Sequence, residues 1–331
     1  MDAFEKIPVL ALVGPTASGK TALAVRLAKY FGAEVISADS MQIYRDLFVS
    51  TARPDDDELQ GVVHHLLGFL PADTPFSAAE FCEHASQLTR EIRSRGNQII
   101  LCGGTGLYVQ SFLENIEFTG EGADALFRSR MRLAAEVLGN RAVWELLSAV
   151  DPQGAAALHP NNLGRVIRAL EINRTTGLTL DAQRTQSRRN PSPYRHLTIC
   201  LDFLDRQKLY DRIDRRVDQM VWNGLEAEAR AFYEKYGFDN GTARQAIGCK
   251  EFLPYFRGEI SFEDAVQAIK RQTRRYAKRQ LTWFHRMPDI RTIWADASPD
   301  VFTEAVKLIE DEGLFVPGKA GIGNDESEQP E

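Results

Sequence analysis

Cysteine is scarce in this chain and never clustered. Cys82, Cys102, Cys200 and Cys249 form no CxxC pair and have no histidine at metal spacing. That excludes a disulfide framework and a thiolate zinc site, and leaves core or near-core packing for all four thiols. Long apolar runs are missing too, since no stretch approaches the roughly eighteen residues that a membrane span requires. The apolar run from Ile7 to Val13 is short and leads into a glycine-rich loop rather than a cleavage site, so a cytoplasmic protein without membrane association is expected. There is no internal repeat, heptad seam or large apolar stripe, so nothing calls for an obligate protein partner and a monomer is expected. Nor is there an overall excess of positive charge. The formal net charge of −6 argues against a uniformly basic nucleic-acid binder, although a binding footprint is local and has to be sought segment by segment.

What is present suffices for a full core. Of 331 residues, 44% are hydrophobic and 26% charged, which suits one large domain plus a smaller one. The most specific signal is Gly14-Pro15-Thr16-Ala17-Ser18-Gly19-Lys20-Thr21, a GxxxxGK[ST] phosphate loop placed straight after an apolar strand. Its glycines let successive backbone N–H groups point inward, Lys20 supplies a cation for the outer phosphates, and the Thr21 hydroxyl suits Mg²⁺. The segment that follows carries Leu23, Ala24 and Leu27 at helical spacing, so the positive end of a helix faces the anion. A diphosphate or triphosphate ligand is expected.

Further short apolar strands are read at 34–37, 97–102, 196–202 and 290–294. Two of them end in Ala38-Asp39-Ser40 and Gly103-Gly104-Thr105-Gly106. In an open parallel sheet the ligand lies outside the carboxyl ends of the strands, so these endings and the phosphate loop should meet in one crevice. Adjacent His64 and His65 point to opposite strand faces, which favours packing over metal binding. Residues 121–194 show helical periodicity without strand signals, with a cap and proline at Asp151-Pro152 and a helix from Leu163 to Arg174 that ends near Gly177. The fold expected is therefore α/β, a P-loop NTPase- or kinase-like parallel sheet core at 1–120 and 195–316 with an inserted all-helical subdomain at 121–194. The tail 317–331 cannot bury anything and is expected to be disordered.

Charge is uneven. From Arg244 to Arg291 there are eleven basic residues against five acidic ones. On a helix, Val266, Ile269, Thr273, Tyr276, Ala277, Gln280 and Phe284 share one mostly apolar arc. Lys270, Arg274, Lys278 and Arg271, Arg275, Arg279 form two adjoining rows opposite. Six like charges repel one another, and a phosphate backbone would relieve that repulsion.

The phosphate loop, Ala38 to Arg45, Thr51-Ala52-Arg53-Pro54, His64-His65-Leu66, Phe76 to Phe81 and Gly103 to Tyr108 occur in the order seen in bacterial tRNA dimethylallyltransferases. The similarity continues through His159-Pro160-Asn161, Arg165, Arg168 to Glu171, Arg244 to Lys250 and Lys278 to Trp283, so the chain resembles that family over nearly its whole length. It departs from the family at Asp46 to Thr51, where members tend to carry Asp-Ile-Gly-Thr, and at Gly164, where a polar side chain is usual. The resemblance implies transfer of a dimethylallyl group from dimethylallyl diphosphate to N6 of the adenine immediately 3′ of the tRNA anticodon, with the tRNA anticodon stem-loop as partner and Mg²⁺ as cofactor. It also implies tRNA contacts at Asp39, Ser40, Met41, Gln42, Thr105, Arg128, Gly164, Arg165, Val166, Ile167, Arg168, Arg244 and Lys250. Arg271 and Arg275 of the basic helix are added on charge.

The chemistry fits. Breaking an allylic C–O bond leaves growing charge on diphosphate, which calls for preorganised N–H donors, Lys20 and Mg²⁺ near Thr21. Asp39 is the best-placed carboxylate to orient the RNA amine or take its proton, unless it helps to hold Mg²⁺ water instead. Thr16 is placed to hydrogen-bond the bridging oxygen, and Thr105 completes the expected catalytic set. Arg212 and Arg216 are phosphate-ligand candidates, or else ion-pair partners of Asp211, Asp214 and Asp218. A P-loop small-molecule kinase and a nucleic-acid-stimulated NTPase remain as alternatives. Both want a strand-end acid for Mg²⁺, and the strand ending at Gly103 lacks one.

Overall fold

An apolar run such as Ile7 to Val13 is stable as a strand only when both of its faces are covered. The computed structural model describes residues 6–118, 124–237 and 242–318, and in it Val9 through Val13 are 0% exposed. The chain divides into two compact units, Met1–Leu113 with Pro193–Glu331, and Glu114–Ser192.

The first unit is built on six parallel strands, β1 (Ile7–Val13), β2 (Ala33–Ser37), β3 (His64–His65), β4 (Gln98–Gly103), β5 (Tyr194–Asp202) and β6 (Ile290–Trp294), in the order β3-β2-β4-β1-β5-β6. Strand β1 is flanked by β4 and β5, with Val13 level with Gly103 on one side and Cys200 on the other. Its alternation assigns the two faces. Val9, Ala11 and Val13 pack with Phe81, Tyr108, Phe112, Ile213, Ile269 and Phe284, whereas Leu10 and Leu12 pack with Leu23, Leu27, Phe31 and Ile309. This is a P-loop-like α/β sandwich. All four cysteines are free, Cys200 and Cys249 buried and Cys82 and Cys102 partly so.

One expectation for this unit changes, while the packing role expected of the histidine pair agrees with its contacts. The tail does not begin loose at residue 317, because the Gly318 N–H donates to Tyr30 O at 3.1 Å over a buried Phe315; residues 319–331 lie outside those described. The histidine pair takes protein partners, His65 Nε2 on Glu34 at 2.7 Å and His64 Nδ1 on Val62 O at 2.9 Å.

The second unit is helical, with helices Ala125–Leu138, Asn140–Val150, Pro152–Ala156, Leu163–Thr176 and Leu180–Gln186. Asp151 caps the third of these, accepting from Gly154 N at 2.9 Å, and its second oxygen accepts from Leu180 N at 2.8 Å. The boundary expected at 120/121 lies outside the described residues. The expectation that Val166 and Ile167 touch RNA is corrected, because they are 0% and 3% exposed and pack against Val143, Leu147 and Ala155. Buried Glu171 takes the guanidinium fork of Arg128, at 2.9 and 2.7 Å, and a single bond from Arg168 Nη1. Burial alone would raise the Glu171 carboxyl, but these bonds overcome it and hold the group at about 2.

Glu34, at the start of β2, ties the sheet edge together. It accepts from Arg95 at 2.8 and 2.7 Å, from Asn97 at 2.7 Å and from His65. The Arg95 bond, followed by those from Asn97 and His65, outweighs burial and holds the carboxyl at about 2. A pKa depressed on folding contributes stability that is complete above the unfolded value, near 4.3, and lost as pH falls toward 2, worth roughly 3 kcal/mol by linkage. Glu34→Gln should therefore lower the urea midpoint at neutral pH and flatten its decline between about pH 4.5 and about pH 2. An acid profile as steep as the parent's would clear Glu34 of that role.

Candidate active site

The phosphate loop is shaped by backbone geometry before any side chain acts. Gly14 sits at φ 143°, and a Cβ there would lie 2.4 Å from Leu201 O, so only glycine lets β1 turn beside β5. Ala17 is left-handed at φ 63°, a strain of roughly 1 kcal/mol or more for an L-residue, and Arg212 Nε holds its carbonyl at 2.9 Å. The helix Lys20–Phe31 opens at Gly19 with no side-chain cap, leaving its first amides for an anion. Ser18 Oγ is buried and has no partner among the described residues, which suits a ligand that supplies acceptor oxygens.

Beside this loop lies a cavity of about 350 Å³. Its lining carries one carboxylate, Asp39, against Lys20, Arg216, Lys250 and Arg279, and a strip of Ile213, Val217, Met220, Ala246 and Ile247 makes one wall apolar. Lys20 Nζ bends back to Pro15 O at 2.7 Å, and Arg216 donates to Ala52 O at 3.2 Å. Neither forms an ion pair with a carboxylate among the described residues. Burial pulls both groups below their ordinary ranges, Arg216 lowers Lys20 further and Arg212 lowers Arg216, and the Asp39 carboxylate works the other way on both. Two crowded cations without a counter-ion are stabilised by an anionic ligand.

Asp39 follows β2. Its Oδ1 accepts from Met41 N at 2.9 Å and Gln42 N at 3.3 Å, which aims the carboxylate along a tight turn. Thr105 accepts from Ser40 N at 2.9 Å. The Tyr276 phenol, pushed up by burial, hydrogen-bonds Thr105 and Gln280. Gln280 bridges loops, with Oε1 on Thr16 N at 2.9 Å and Nε2 on Gly104 O at 3.0 Å.

Of the residues expected from sequence, Thr16, Ala17, Lys20, Thr21, Asp39, Ser40, Met41, Gln42, Arg216 and Lys250 line this one cavity. Gly14, Pro15, Ser18 and Gly19 build the loop behind it, and Thr105 braces Ser40. Arg244, Arg271 and Arg275 lie off the lining, while Arg128 and residues 164–168 belong to the helical unit.

The six-charge cationic face on the helix Phe262–Phe284 needs correcting. Lys270 pairs with Asp218 at 2.6 Å and Arg274 with Asp214 at 2.5 Å, both acids lying on the helix Arg206–Trp222. The exposed basic residues are Arg271, Arg275, Lys278 and Arg279. The same pairing takes Asp214 and Asp218 away from Arg212 and Arg216, and Asp211 accepts from Gln207 instead.

Three contributors went unread in the sequence. Glu228 accepts three successive amides, from Phe48 and Val49 at 2.7 Å and Ser50 at 2.8 Å. It thereby shapes the segment that departs from the family pattern and brings the Ala52 carbonyl to Arg216. Gln280 looked like part of an apolar arc. Asp202 ends β5, on the other side of β1 from the strand ending at Gly103. Fully buried, it is consumed by Phe203 N, Arg206 and His285 at 2.7, 2.9 and 3.0 Å and does not line the cavity. No local pattern marks Glu228 or Gln280, whose partners lie far along the chain, and Asp202 combines two local partners with the distant His285.

Replacing Arg216 by glutamine keeps a donor for Ala52 O while removing the charge. The melting temperature should hold or rise, and inorganic diphosphate should bind about 10- to 100-fold more weakly by calorimetry, the worth of one charged hydrogen bond. Unchanged affinity would remove Arg216 from the anion site.

The family pattern for IPP transferase matches residues 42–287. The tRNA dimethylallyltransferase of Bacillus subtilis is 44% identical over 302 residues, spanning 91% of this chain and 95% of its own length. That of Acetivibrio thermocellus is 42% identical over 303 residues with the same coverages, 91% and 95%. Among solved structures, the full-length tRNA isopentenylpyrophosphate transferase from Bacillus halodurans gives a TM-score of 0.70 at 41% identity, covering 93% of this chain and 97% of its own. A eukaryotic dimethylallyltransferase described as acting on tRNA gives 0.79 at 28% identity, covering 92% of this chain and 79% of its own. With a phosphate cradle, a lone cavity carboxylate and this agreement along nearly the whole length, the chain belongs to the tRNA dimethylallyltransferase (IPP transferase) family of prenyl-transferring enzymes.

Proposed function

We propose that this chain transfers the dimethylallyl group of dimethylallyl diphosphate to N6 of the adenine immediately 3′ of a tRNA anticodon, releasing diphosphate. The observation that carries the reading is the composition of the cavity: four cations and one carboxylate beside an apolar strip. An ion with a dianionic head and a short branched hydrocarbon tail matches that division, with the head on Lys20, Arg216 and the phosphate-loop amides. A nucleoside would leave the apolar strip facing polar groups.

In the reaction the N6 lone pair forms a bond to the allylic C1, the C1–O bond breaks, and its electron pair leaves on diphosphate. The lone pair is weakly basic, so charge on the departing oxygen dominates the barrier, and fixed donors aimed at it are the effective catalyst. Lys20 and Arg216 serve there, with the Thr16 hydroxyl toward the bridging oxygen. Asp39 orients the amine and accepts its proton, a role worth roughly 10²- to 10⁴-fold for a general base.

Thr21 and the diphosphate oxygens suit Mg²⁺, which would bind through few protein ligands and several waters. The described residues contain no group of three or more His, Cys, Asp or Glu side chains placed to hold a metal, consistent with an ion that enters with its substrate. When bound, it would neutralise charge on the leaving group.

The target base must leave its stack, at a cost of a few kcal/mol. Grip on the flanking phosphates offsets that cost, and Arg271, Arg275, Lys278 and Arg279 offer it on one helix. In the helical unit Asn162 makes no side-chain cap and its carbonyl takes the Arg165 N–H, so in that first turn it is the Gly164 amide that suits a phosphate.

Incubation with labelled dimethylallyl diphosphate and unmodified tRNA should place label in RNA, and Asp39→Ala should lower that rate by about 10²- to 10⁴-fold while sparing inorganic diphosphate binding. ATP turnover without label in RNA would instead support a kinase or NTPase. Reversing charge at Arg271 and Arg275 together should weaken tRNA binding and reduce the slope of log affinity against log salt by about 1.4, two contacts at about 0.7 each. An unchanged slope would take this helix out of RNA binding.

A further inference from the structure

Gln280 is a polar side chain where the helix Phe262–Phe284 otherwise turns Ala277, Leu281 and Phe284 inward. It is 5% exposed. A buried amide costs stability unless every polar atom is satisfied, and here both ends are, by two loops that carry the chemistry. The orientation is unambiguous, since Oε1 must face the Thr16 N–H and Nε2 the Gly104 carbonyl. Gly104 makes room for it, because a Cβ at that position would lie 2.1 Å from Nε2.

We propose that Gln280 is a positioning residue for the transfer reaction, holding the phosphate cradle at a set distance from the carboxylate that receives the proton. Its bond to Thr16 takes that amide out of the cradle, so Thr16 meets the ligand through its hydroxyl alone. Its bond to Gly104 fixes the loop whose next residue, Thr105, holds Ser40 and therefore the turn that aims Asp39. One side chain thus spans both halves of the reaction, the leaving oxygen and the incoming amine. A displacement of about 1 Å between such groups costs on the order of 100-fold in rate.

The inference rests on the transfer activity proposed above, and the test separates the two. Gln280→Met keeps the shape and removes its bonds to Thr16 and Gly104, together with that to Tyr276. With labelled dimethylallyl diphosphate and unmodified tRNA, kcat should fall about 100-fold while KM for the diphosphate stays within about threefold, the signature of lost alignment rather than lost binding. Gln280→Glu keeps the acceptor for Thr16 but can donate to Gly104 only when protonated. The ratio of its kcat to that of the parent should therefore rise as the pH is lowered from about 8 to about 6, whereas the Gln280→Met ratio stays flat. A purely structural glutamine would give no such divergence. A folded Gln280→Met protein with kcat within about threefold of the parent overturns the proposal, as does a pH-independent Gln280→Glu ratio. Should the methionine variant fail to melt cooperatively, the glutamate profile decides alone. Absence of label with the parent enzyme overturns the transfer reading and this inference with it.

Discussion

Two cations held close together without an ion-pair partner form the constraint around which the rest of the site is arranged. Lys20 and Arg216 come from opposite sides of the sheet's carboxyl edge, and burial disfavours the charge on each. A fold oriented toward stability alone would place acids beside them. Here Asp39, and for Arg216 also Glu58, act only through space without forming an ion pair, while Asp214 and Asp218 pair with the basic helix, Glu228 takes three backbone amides, and Asp202 takes His285 and Arg206. The resulting positive potential in a partly enclosed cavity is what a departing diphosphate needs, and it is already in place before substrate arrives.

Sheet topology explains why so few residues suffice. Because β1 lies between β4 and β5, the phosphate loop, the turn after β2 and the glycine-rich turn after β4 open at the same edge. The helix Phe262–Phe284 closes that edge from behind with Gln280 and Tyr276, while its outer side carries exposed arginines. The helix that links the phosphate loop to the glycine-rich turn is thus the same one whose outer side presents exposed cations.

How much of this could be read in the sequence depended on the range of the interaction. The phosphate loop was legible because its function lies in backbone shape, and glycine spacing encodes backbone shape locally. Strands with apolar runs and polar endings were legible for the same reason, which brought Asp39 and Thr105 to the site by topology alone. Charge was misread wherever its partner lay on another helix. Lys270 and Arg274 looked like an exposed row until Asp218 and Asp214 appeared opposite them. Glu228, 178 residues and more from the amides it binds, leaves no local mark, and Gln280 was taken for part of an apolar arc because periodicity registers burial and not the hydrogen bonds that make burial tolerable. Val166 and Ile167 erred in the other direction, since a family segment was carried over whole although a helix turns one face inward, and these two lie on it.

The contrast between Asp39 and Asp202 bears on why a phosphate loop of this type serves prenyl transfer rather than nucleotide hydrolysis. Each ends a strand at the same edge of the sheet, and either could in principle hold a metal or activate a nucleophile. The two oxygens of Asp202 accept an amide, a guanidinium and an imidazole, leaving little capacity for a cation or a water. Asp39 spends one oxygen on the amides of its own turn and faces the cavity with the apolar strip of Ile213, Val217 and Met220 nearby. A carboxylate there has no triphosphate-bound water to activate, but it is suitably placed for a proton arriving on an amine that approaches over hydrocarbon. Of the two strand-end acids, Asp39 is the one that lines the cavity and Asp202 the one taken up by protein partners.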